Sequence, residues 1–370
     1  MVEPYCRRRS LLSSRLTRLR ELMEREGITA LWVHQDENRR YLSGFTGDSG
    51  TLLITPTAQY LLTDGRFTEQ AREEAPDFQI IDLGPHPWEQ LGQTLAAAGV
   101  EKLFFEAEHL TYATYEEFLE KARDWPRPVS LAPVKGLVAR LRQVKDAEEI
   151  AVLEKAIAIA DAGYNHLLSI LRPGLTERDI ALELEYFMGK QGSRGPSFTT
   201  IIASGPRSAL PHGVASDRVL QPGDMIVMDF GAVYGGYHSD LTRTVALAPV
   251  TAEWRRLYDI VLEAQQQAIA ALRPGIQGRE ADAVAREAIA AAGYGDYFSH
   301  GLGHGVGLAI HEDPTLSSRS EVKLAPGMVV TVEPGVYLPG RGGIRIEDVV
   351  LIQEGGARVL SRAPKEFIEL

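Results

Sequence analysis

Cysteine is almost absent from this sequence of 370 residues, which contains one, Cys6. A single cysteine excludes an intrachain disulfide framework and a thiolate metal site, so any metal must be held by oxygen and nitrogen ligands. Long apolar runs are also missing: no stretch reaches the roughly 20 residues that a membrane-spanning helix requires. We therefore predict no membrane association and, because a reducing interior fits this composition, a cytoplasmic location.

Positive charge is in short supply, with 39 Lys and Arg against 50 Asp and Glu and a net charge of −11. This balance argues against a nucleic-acid partner. Arg7-Arg8-Arg9 are followed by leucines at helical spacing, from Leu11 to Leu22. A signal peptide needs a continuous apolar segment that is missing here. A mitochondrial presequence would have a similar composition, but a solvated first helix is the simpler interpretation.

Residues 10–135 alternate short apolar runs, such as 50–55 and 59–64, with helical patterns. This alternation predicts a small α/β domain, and we find no catalytic constellation in it. We place a linker at 131–136, a charged helix from about Val144, and a second domain over residues 140–370.

The second domain carries one pattern twice. Pro-Gly turns at 222–223 and 326–327 each lead into a short apolar run that ends on an acid, Asp229 and Glu333. Arg-Pro-Gly segments at 172–174 and 273–275 each precede an acid-rich amphipathic helix. A period of about a hundred residues is too long for a solenoid and predicts an α+β domain of two related halves.

Each half offers a second acid beyond a Gly-rich turn: Asp240 after Asp229, and Glu347 after Glu333. Alone, each acid has an ordinary explanation, such as a strand-end cap or a surface ion pair. Because these acids occupy equivalent positions in the two halves, they favour a pair of metal ions bound between them, since a buried acid is costly without a partner. With His304 they can hold two divalent cations, and a set without thiolates suits Mn, Co, Fe or Zn.

Three histidines, His300, His304 and His311, fall within twelve residues and are interleaved with glycines that permit close approach to a ligand. His212 stands in a Pro-His-Gly segment upstream of the first acid-terminated run. We expect these histidines to lie near the metal pair.

These motifs resemble the pita-bread metallopeptidases, and within them prolidase and aminopeptidase P. The resemblance rests on the segments 204–213, 229–231, 239–244, 300–305, 310–312, 332–335 and 344–348. Residues 41–47 resemble the creatinase-type domain that precedes such catalytic domains. The resemblance implies an N-terminal creatinase-like α/β domain followed by a pseudo-twofold pita-bread catalytic domain. Methionine aminopeptidases usually lack that front domain, and creatinase lacks the metal ligands.

The resemblance also implies roles for individual residues. Asp229 binds one ion, His304 and Glu333 bind the other, and Asp240 and Glu347 bridge. Glu333 also handles the proton of the attacking water. The implied catalytic set that orients the substrate and stabilises the tetrahedral intermediate is His212, His300 and His311. Arg345 resembles a family arginine near the bridging acids, with a structural salt bridge as the equal alternative, and Thr242 and Thr331 are candidates to hold the carboxylates.

The implied reaction is hydrolysis of the Xaa-Pro bond of short proline-containing peptides with two divalent ions, Mn before Co, Zn or Fe. We favour a dipeptidase; the alternatives are an aminopeptidase acting on longer peptides and, remotely, a non-catalytic binding module. A dipeptidase needs a cation for the substrate's terminal carboxylate, and Arg207, Arg319 and Arg341 are candidates. We expect a homodimer, with the aromatic segment 41–48 reaching towards a neighbouring cleft.

Overall fold

The computed structural model describes the backbone of residues 2–370 and the side chains from residue 12 onward. Cys6 and the arginines 7–9, on which part of the sequence interpretation rests, lie outside the residues with described side chains. The chain divides into two compact units, one ending at Arg142 and the other running from Gln143 to Leu370.

The first unit is built around one six-stranded sheet, in the order β4-β3-β2-β1-β5-β6. Its helices are α1 (Val2–Arg25), α2 (Asp36–Ser43), α3 (Thr68–Glu74), α4 (Pro87–Ala97), α5 (Tyr112–Lys121) and α6 (Leu137–Arg142). Its strands are β1 (Leu31–Val33), β2 (Thr51–Ile54), β3 (Gln59–Thr63), β4 (Gln79–Asp82), β5 (Lys102–Glu106) and β6 (Ser130–Val134). The first helix is present, and it buries Leu16, Leu19 and Leu22. The predicted α/β character is confirmed.

Two details of the first unit correct the sequence interpretation. The predicted linker at 131–136 is wrong for residues 131–134, which belong to β6. Pro133 is compatible with that strand because β6 lies at the edge of the sheet, where a missing N–H breaks no ladder. The aromatic side chains of segment 41–48 do not project outward, because Tyr41 and Phe45 are fully buried. Arg39 holds this segment by donating hydrogen bonds to the carbonyls of Gly47 and Gly50.

The second unit contains four α-helices and twelve strands. The helices are α7 (Ala147–Ile170), α8 (Glu177–Lys190), α9 (Ala252–Ala271) and α10 (Gly278–Ala291). The strands are β7 (Ile201–Ser204), β8 (Met225–Phe230), β9 (Val233–Tyr234), β10 (Tyr237–His238), β11 (Leu241–Ala246), β12 (Gly303–Gly305), β13 (Glu312–Leu316), β14 (Val329–Val332), β15 (Gly335–Leu338), β16 (Gly342–Arg345), β17 (Asp348–Gln353) and β18 (Gly356–Val359).

The predicted duplication is visible in the second unit. In the first half, α7 and α8 share an apolar core with the antiparallel sheet β11-β8-β7. In the second half, α9 and α10 share a core with the sheet β13-β12-β14-β17-β18. The two Pro-Gly turns have matching backbones, since Gly223 and Gly327 have φ of 89° and 88°, values that favour glycine. The α+β prediction is therefore confirmed.

The predicted charged helix begins at Ala147, where Asp146 caps it by accepting hydrogen bonds from the N–H groups of Glu148 and Glu149. Over the residues that the structure describes, none of the helices combines the length and apolar character needed to cross a bilayer.

Candidate metal centre

The candidate ligands lie at strand ends and on strands of both halves. Asp229 is the penultimate residue of β8, and Asp240 immediately precedes β11, the strand that pairs with β8. Glu333 follows β14 and Glu347 precedes β17, which pairs with β14. His304 is the central residue of β12, the other neighbour of β14. The antiparallel strand pairs β8–β11 and β14–β17 therefore present their acids to a common point.

The distances show that all five side chains meet. Asp229, Asp240 and Glu347 each offer an oxygen within 4.8 Å of the others. The Nε2 atom of His304 lies 3.5 Å from Oδ2 of Asp240 and 3.3 Å from Oε1 of Glu333. The structure thus brings together every residue that the sequence pattern singled out as a ligand.

The electrostatics of this cluster are those of carboxylates crowded away from water. Burial, and then the charges of Glu347 and Asp229, raise the pKa of Asp240 well above its usual range. Burial, and then the charges of Glu333 and Asp229, do the same to the pKa of Glu347. Burial opposes ionisation of Glu333 too, but the hydrogen bond and charge of His304 outweigh it and lower the pKa of Glu333. So many acids cannot ionise together without added positive charge.

Two oxygens of the cluster have no hydrogen-bond partner among the described residues: Oδ1 of Asp229 and Oε1 of Glu347, both buried. A buried acceptor without a partner is costly unless something else coordinates it. Oxygen donors with one imidazole are suitable ligands for divalent transition metals. The residues therefore fit a divalent cation centre on geometry and charge.

Neighbouring hydroxyl groups hold the acids in place. The Thr242 hydroxyl donates to Oε2 of Glu347 at 2.7 Å, and the Thr331 hydroxyl donates to Oε1 of Glu333 at 3.0 Å. Both threonines were anticipated from the sequence. A hydrogen bond of 3.0 Å between Nδ1 of His304 and the carbonyl of Gly305 directs Nε2 towards the acids.

Arg345 is buried beside the cluster and pairs with Asp229. It also donates to the Tyr337 hydroxyl at 2.8 Å and to the carbonyl of Pro211 at 3.1 Å. Of the two roles considered for this arginine, the contacts match the salt bridge, and they add a link to the segment that carries His212.

The three histidines predicted to be catalytic, His212, His300 and His311, line one cavity of about 550 Å³ that opens onto the acids. Nε2 of His300 lies 2.9 Å from the Tyr337 hydroxyl, and burial lowers the pKa of His300. The ring of His311 stands edge-on to that of His304 with centroids 4.3 Å apart. Burial lowers the pKa of His311, and His304 and His212 lower it further. His212 itself is exposed.

Comparison with known proteins agrees with a metal centre in the second unit. Residues 151–354 match the model of metallopeptidase family M24, and residues 15–144 match that of the creatinase/prolidase N-terminal domain. The chain belongs to metallopeptidase family M24. It is therefore a metallopeptidase that uses divalent metal, and the prediction of a pita-bread catalytic domain behind a creatinase-type domain is confirmed.

Three relatives of this M24 chain span nearly its whole length. An Xaa-Pro dipeptidase of Pyrococcus furiosus is 39% identical, with 96% of this chain and 100% of the relative covered. The structure of an Xaa-Pro dipeptidase from Bacillus anthracis is similar with a TM-score of 0.94 at 43% identity, covering 97% of this chain and 100% of that one. An X-Pro aminopeptidase structure from Thermotoga maritima has a TM-score of 0.87 at 38% identity, covering 96% and 99%.

The sequence analysis missed Tyr337 and several residues that line the cavity of this M24 site, among them Phe198. Tyr337 joins His300 to Arg345, but within the apolar run of β15 it looks like an ordinary core aromatic. Phe198 lines the cavity from a loop without regular pattern. Tyr337 lies four residues after Glu333, and this short spacing was the one available signal.

Proposed function

We propose that this chain hydrolyses the bond between an N-terminal residue and a following proline, with Xaa-Pro dipeptides as its preferred substrates. The observation that carries the proposal is the buried cluster of four carboxylates and one imidazole, with two unpaired oxygens, at the base of a cavity. The names of the Pyrococcus and Bacillus relatives support the choice of substrate. Such tertiary amides escape general peptidases because proline fixes the backbone and has no N–H.

The cluster would hold two divalent cations per chain, manganese being our first choice and cobalt, zinc or iron the alternatives. We assign Asp229 to one cation, His304 and Glu333 to the other, and Asp240 and Glu347 to both. When bound, the cations polarise the scissile carbonyl and lower the pKa of water.

The protein's own groups supply positioning and proton transfer. Glu333, held by Thr331 and His304, accepts the proton of the attacking water. The imidazoles of His212, His300 and His311 face the cavity, where they orient the peptide and stabilise the developing negative charge. Arg345 acts indirectly, since it fixes the orientation of Asp229 and of Tyr337.

Three arginine side chains are candidates to bind the substrate's terminal carboxylate, and they differ in their contacts. Arg207 is paired with Glu177 and also donates to the carbonyl of Val214. Arg341 is paired with Glu253 at the surface. Arg319 is exposed and lies two residues beyond Ser317, which lines the cavity. We assign the carboxylate-binding role to Arg319.

The second candidate function is an aminopeptidase acting on longer peptides. The engagement of Arg207 and Arg341 elsewhere favours it, because an aminopeptidase needs no cation for a terminal carboxylate. The likeness to the Thermotoga X-Pro aminopeptidase structure supports it as well.

Side-by-side assays separate these functions. Ala-Pro, Ala-Pro-Ala, Ala-Ala and Pro-Ala are compared with the protein loaded with Mn²⁺, and again with Co²⁺ or Zn²⁺. Our proposal requires the highest kcat/KM for Ala-Pro and a loss of that preference in Arg319→Ala. Faster cleavage of Ala-Pro-Ala would assign the aminopeptidase function instead, and no cleavage with any metal would indicate a binding module.

We also propose a homodimer, a cytoplasmic location, and domains spanning 10–135 and 140–370. The acidic net charge and the absence of a cysteine framework support the location. Light scattering of the purified protein tests the assembly.

A further inference from the structure

The carboxylate of Glu177 is completely buried, yet it belongs to neither the metal cluster nor the cavity wall. Glu177 is the first residue of α8, the helix that follows the first Arg-Pro-Gly segment. Both of its oxygens are occupied by hydrogen bonds from residues 27 to 39 positions away. A buried carboxylate that accepts this many hydrogen bonds is held in one orientation.

The two oxygens serve different ends of one loop. Oε1 accepts hydrogen bonds from the N–H and the hydroxyl of Ser204, at 2.8 and 2.7 Å. Oε2 accepts from the N–H and the hydroxyl of Ser216, at 3.0 and 2.6 Å, and from Arg207. Ser204 ends β7 and Ser216 lies beyond the loop, so one side chain fixes both ends of the segment 205–215.

That loop carries His212. The His212 side chain is exposed, and it makes no hydrogen bond to any described residue. Its place in the cavity is therefore set by the backbone of its own loop. The loop is tied near its centre as well, because Arg345 donates to the carbonyl of Pro211.

The second half holds its own histidine segment in a comparable way. Asp282, buried on α10, accepts a hydrogen bond from the N–H of Leu302 at 2.9 Å and pairs with Arg286. Arg286 in turn donates to the carbonyl of His300 at 2.7 Å. In each half, a buried acid on the helix after Arg-Pro-Gly anchors a segment that bears a cavity histidine.

We propose that Glu177 is a positioning residue that acts on the reaction through His212 by fixing both ends of the 205–215 loop. The inference rests on the proposed function, in which His212 contacts the substrate. A carboxylate is required at this position because both oxygens must accept hydrogen bonds, one from Ser204 and the other from Ser216. A glutamine has one accepting oxygen and one donating nitrogen, so Glu177→Gln releases either the Ser204 end or the Ser216 end.

The test compares Glu177→Gln and the milder Ser216→Ala in the wild-type background and in a His212→Ala background, with Ala-Pro and Mn²⁺. We expect Glu177→Gln to lower kcat about tenfold and Ser216→Ala about threefold, while bound manganese stays at the wild-type level. In the His212→Ala background the same changes should cost less than about twofold, because they act through a side chain that is already gone.

Asp161→Asn is the matched control. Asp161 is another buried carboxylate whose two oxygens accept from separate backbone groups, the N–H of Arg362 and the N–H of Ala363. We expect this variant to lower the melting temperature and leave kcat unchanged. The control separates loss of stability from loss of loop position.

Equal losses of kcat in both backgrounds, or wild-type kcat in both Glu177→Gln and Ser216→Ala, would overturn the inference. If Glu177→Gln does not fold, Ser216→Ala decides by the same comparison. Failure of the proposed function looks different, since the unsubstituted protein would then not cleave Ala-Pro, or His212→Ala would keep full turnover.

Discussion

At the scale of single residues, Glu347 shows how the site depends on a group that the protein does not supply. One of its oxygens is satisfied by Thr242, and the other is buried without a partner in the described chain. Asp240 lies within the same cluster, and both carboxyl pKa values are raised mainly by burial. Such side chains are destabilising until a cation pairs with them, so removal of either should change binding as well as turnover.

We predict that Asp240→Ala and Glu347→Ala each reduce turnover of Ala-Pro at least about a hundredfold in excess Mn²⁺, because each contacts both cations in our assignment. Kinetics and calorimetric titration with Mn²⁺ measure the two effects. The control is Glu354→Ala, at an exposed acid beyond the end of β17. More than a tenth of wild-type turnover in either variant would refute the bridging assignment.

A second residue-scale prediction concerns the histidines outside the ligand set. His212→Ala and His311→Ala should lower kcat by about a hundredfold, as expected for lost acid–base or oxyanion groups, while metal content stays near two per chain. Metal analysis of the purified variants checks this. Loss of one ion in either variant would show that a ligand has been taken for a catalytic group.

At the scale of elements, β11 and β17 each begin one residue after an acid of the cluster, Asp240 and Glu347. They are joined by a buried ion pair, Arg243 with Asp348 at 2.9 Å. Arg243 also donates to the carbonyl of Glu347, and Lys365 pairs with Asp348 at 2.5 Å. The strands that position the acids are thus held by charges that do not themselves reach the cavity.

We predict that Asp348→Asn destabilises the protein by about 3–5 kcal/mol, because Arg243 and Lys365 would lose a buried counter-ion. Urea unfolding measures this. Glu321→Gln is the comparison, since Glu321 pairs with Arg279 at the surface, where ion pairs contribute little. Equal stability of the two variants would contradict the prediction.

The end of β1 supports a pH prediction. Burial, and then the charge of His109, lower the pKa of His34 to about 4. Between this value and the ordinary value of about 6.5, the unfolded chain binds a proton that the folded chain does not. Stability should therefore be fully present above pH ~6.5 and fall by about 3 kcal/mol as the pH drops towards ~4.

Urea unfolding followed by tryptophan fluorescence reports this change, because Trp32, Trp88 and Trp125 lie in the first unit. His34→Phe should flatten the dependence on pH over this interval, whereas His86→Phe, at an exposed ring, should leave it as in the wild type. An unchanged slope in His34→Phe would mean that other groups govern the acid sensitivity.

At the scale of the whole molecule, none of the candidate site residues lies in the front domain, and we expect this domain to support dimerisation and restrict substrate length. The first compact unit extends through β6 and α6 to Arg142, so the cleanest truncation begins at Gln143. We predict that the full chain is a homodimer by light scattering. The truncated chain should fold poorly or lose its preference for short peptides. A monomeric full chain, together with unchanged length selectivity after truncation, would exclude this role.

The sequence predicted the metal cluster well because its signal is strictly positional. Asp229 and Glu333 lie at the same offset from a Pro-Gly turn, and each stands at the end of a buried strand, β8 or β14, that leads to the cluster. Tyr337 could not be found this way, since a buried tyrosine on a strand has the pattern of a core residue. The exposure of Tyr41 and Phe45 was misjudged because a Gly-rich aromatic segment has the same composition whether it packs inward or outward.

The division of the ligands between two sheets has a further consequence. Of the candidate ligands, Asp229 and Asp240 come from one half and His304, Glu333 and Glu347 from the other, so unfolding of either half would take donors away from the cluster. A bound cation would then make the protein more resistant to heat and to proteolysis. At a free metal concentration a hundred times its Kd, one cation stabilises the native state by about 2.7 kcal/mol. The supply of divalent metal would thus govern the lifetime of this enzyme as well as its rate.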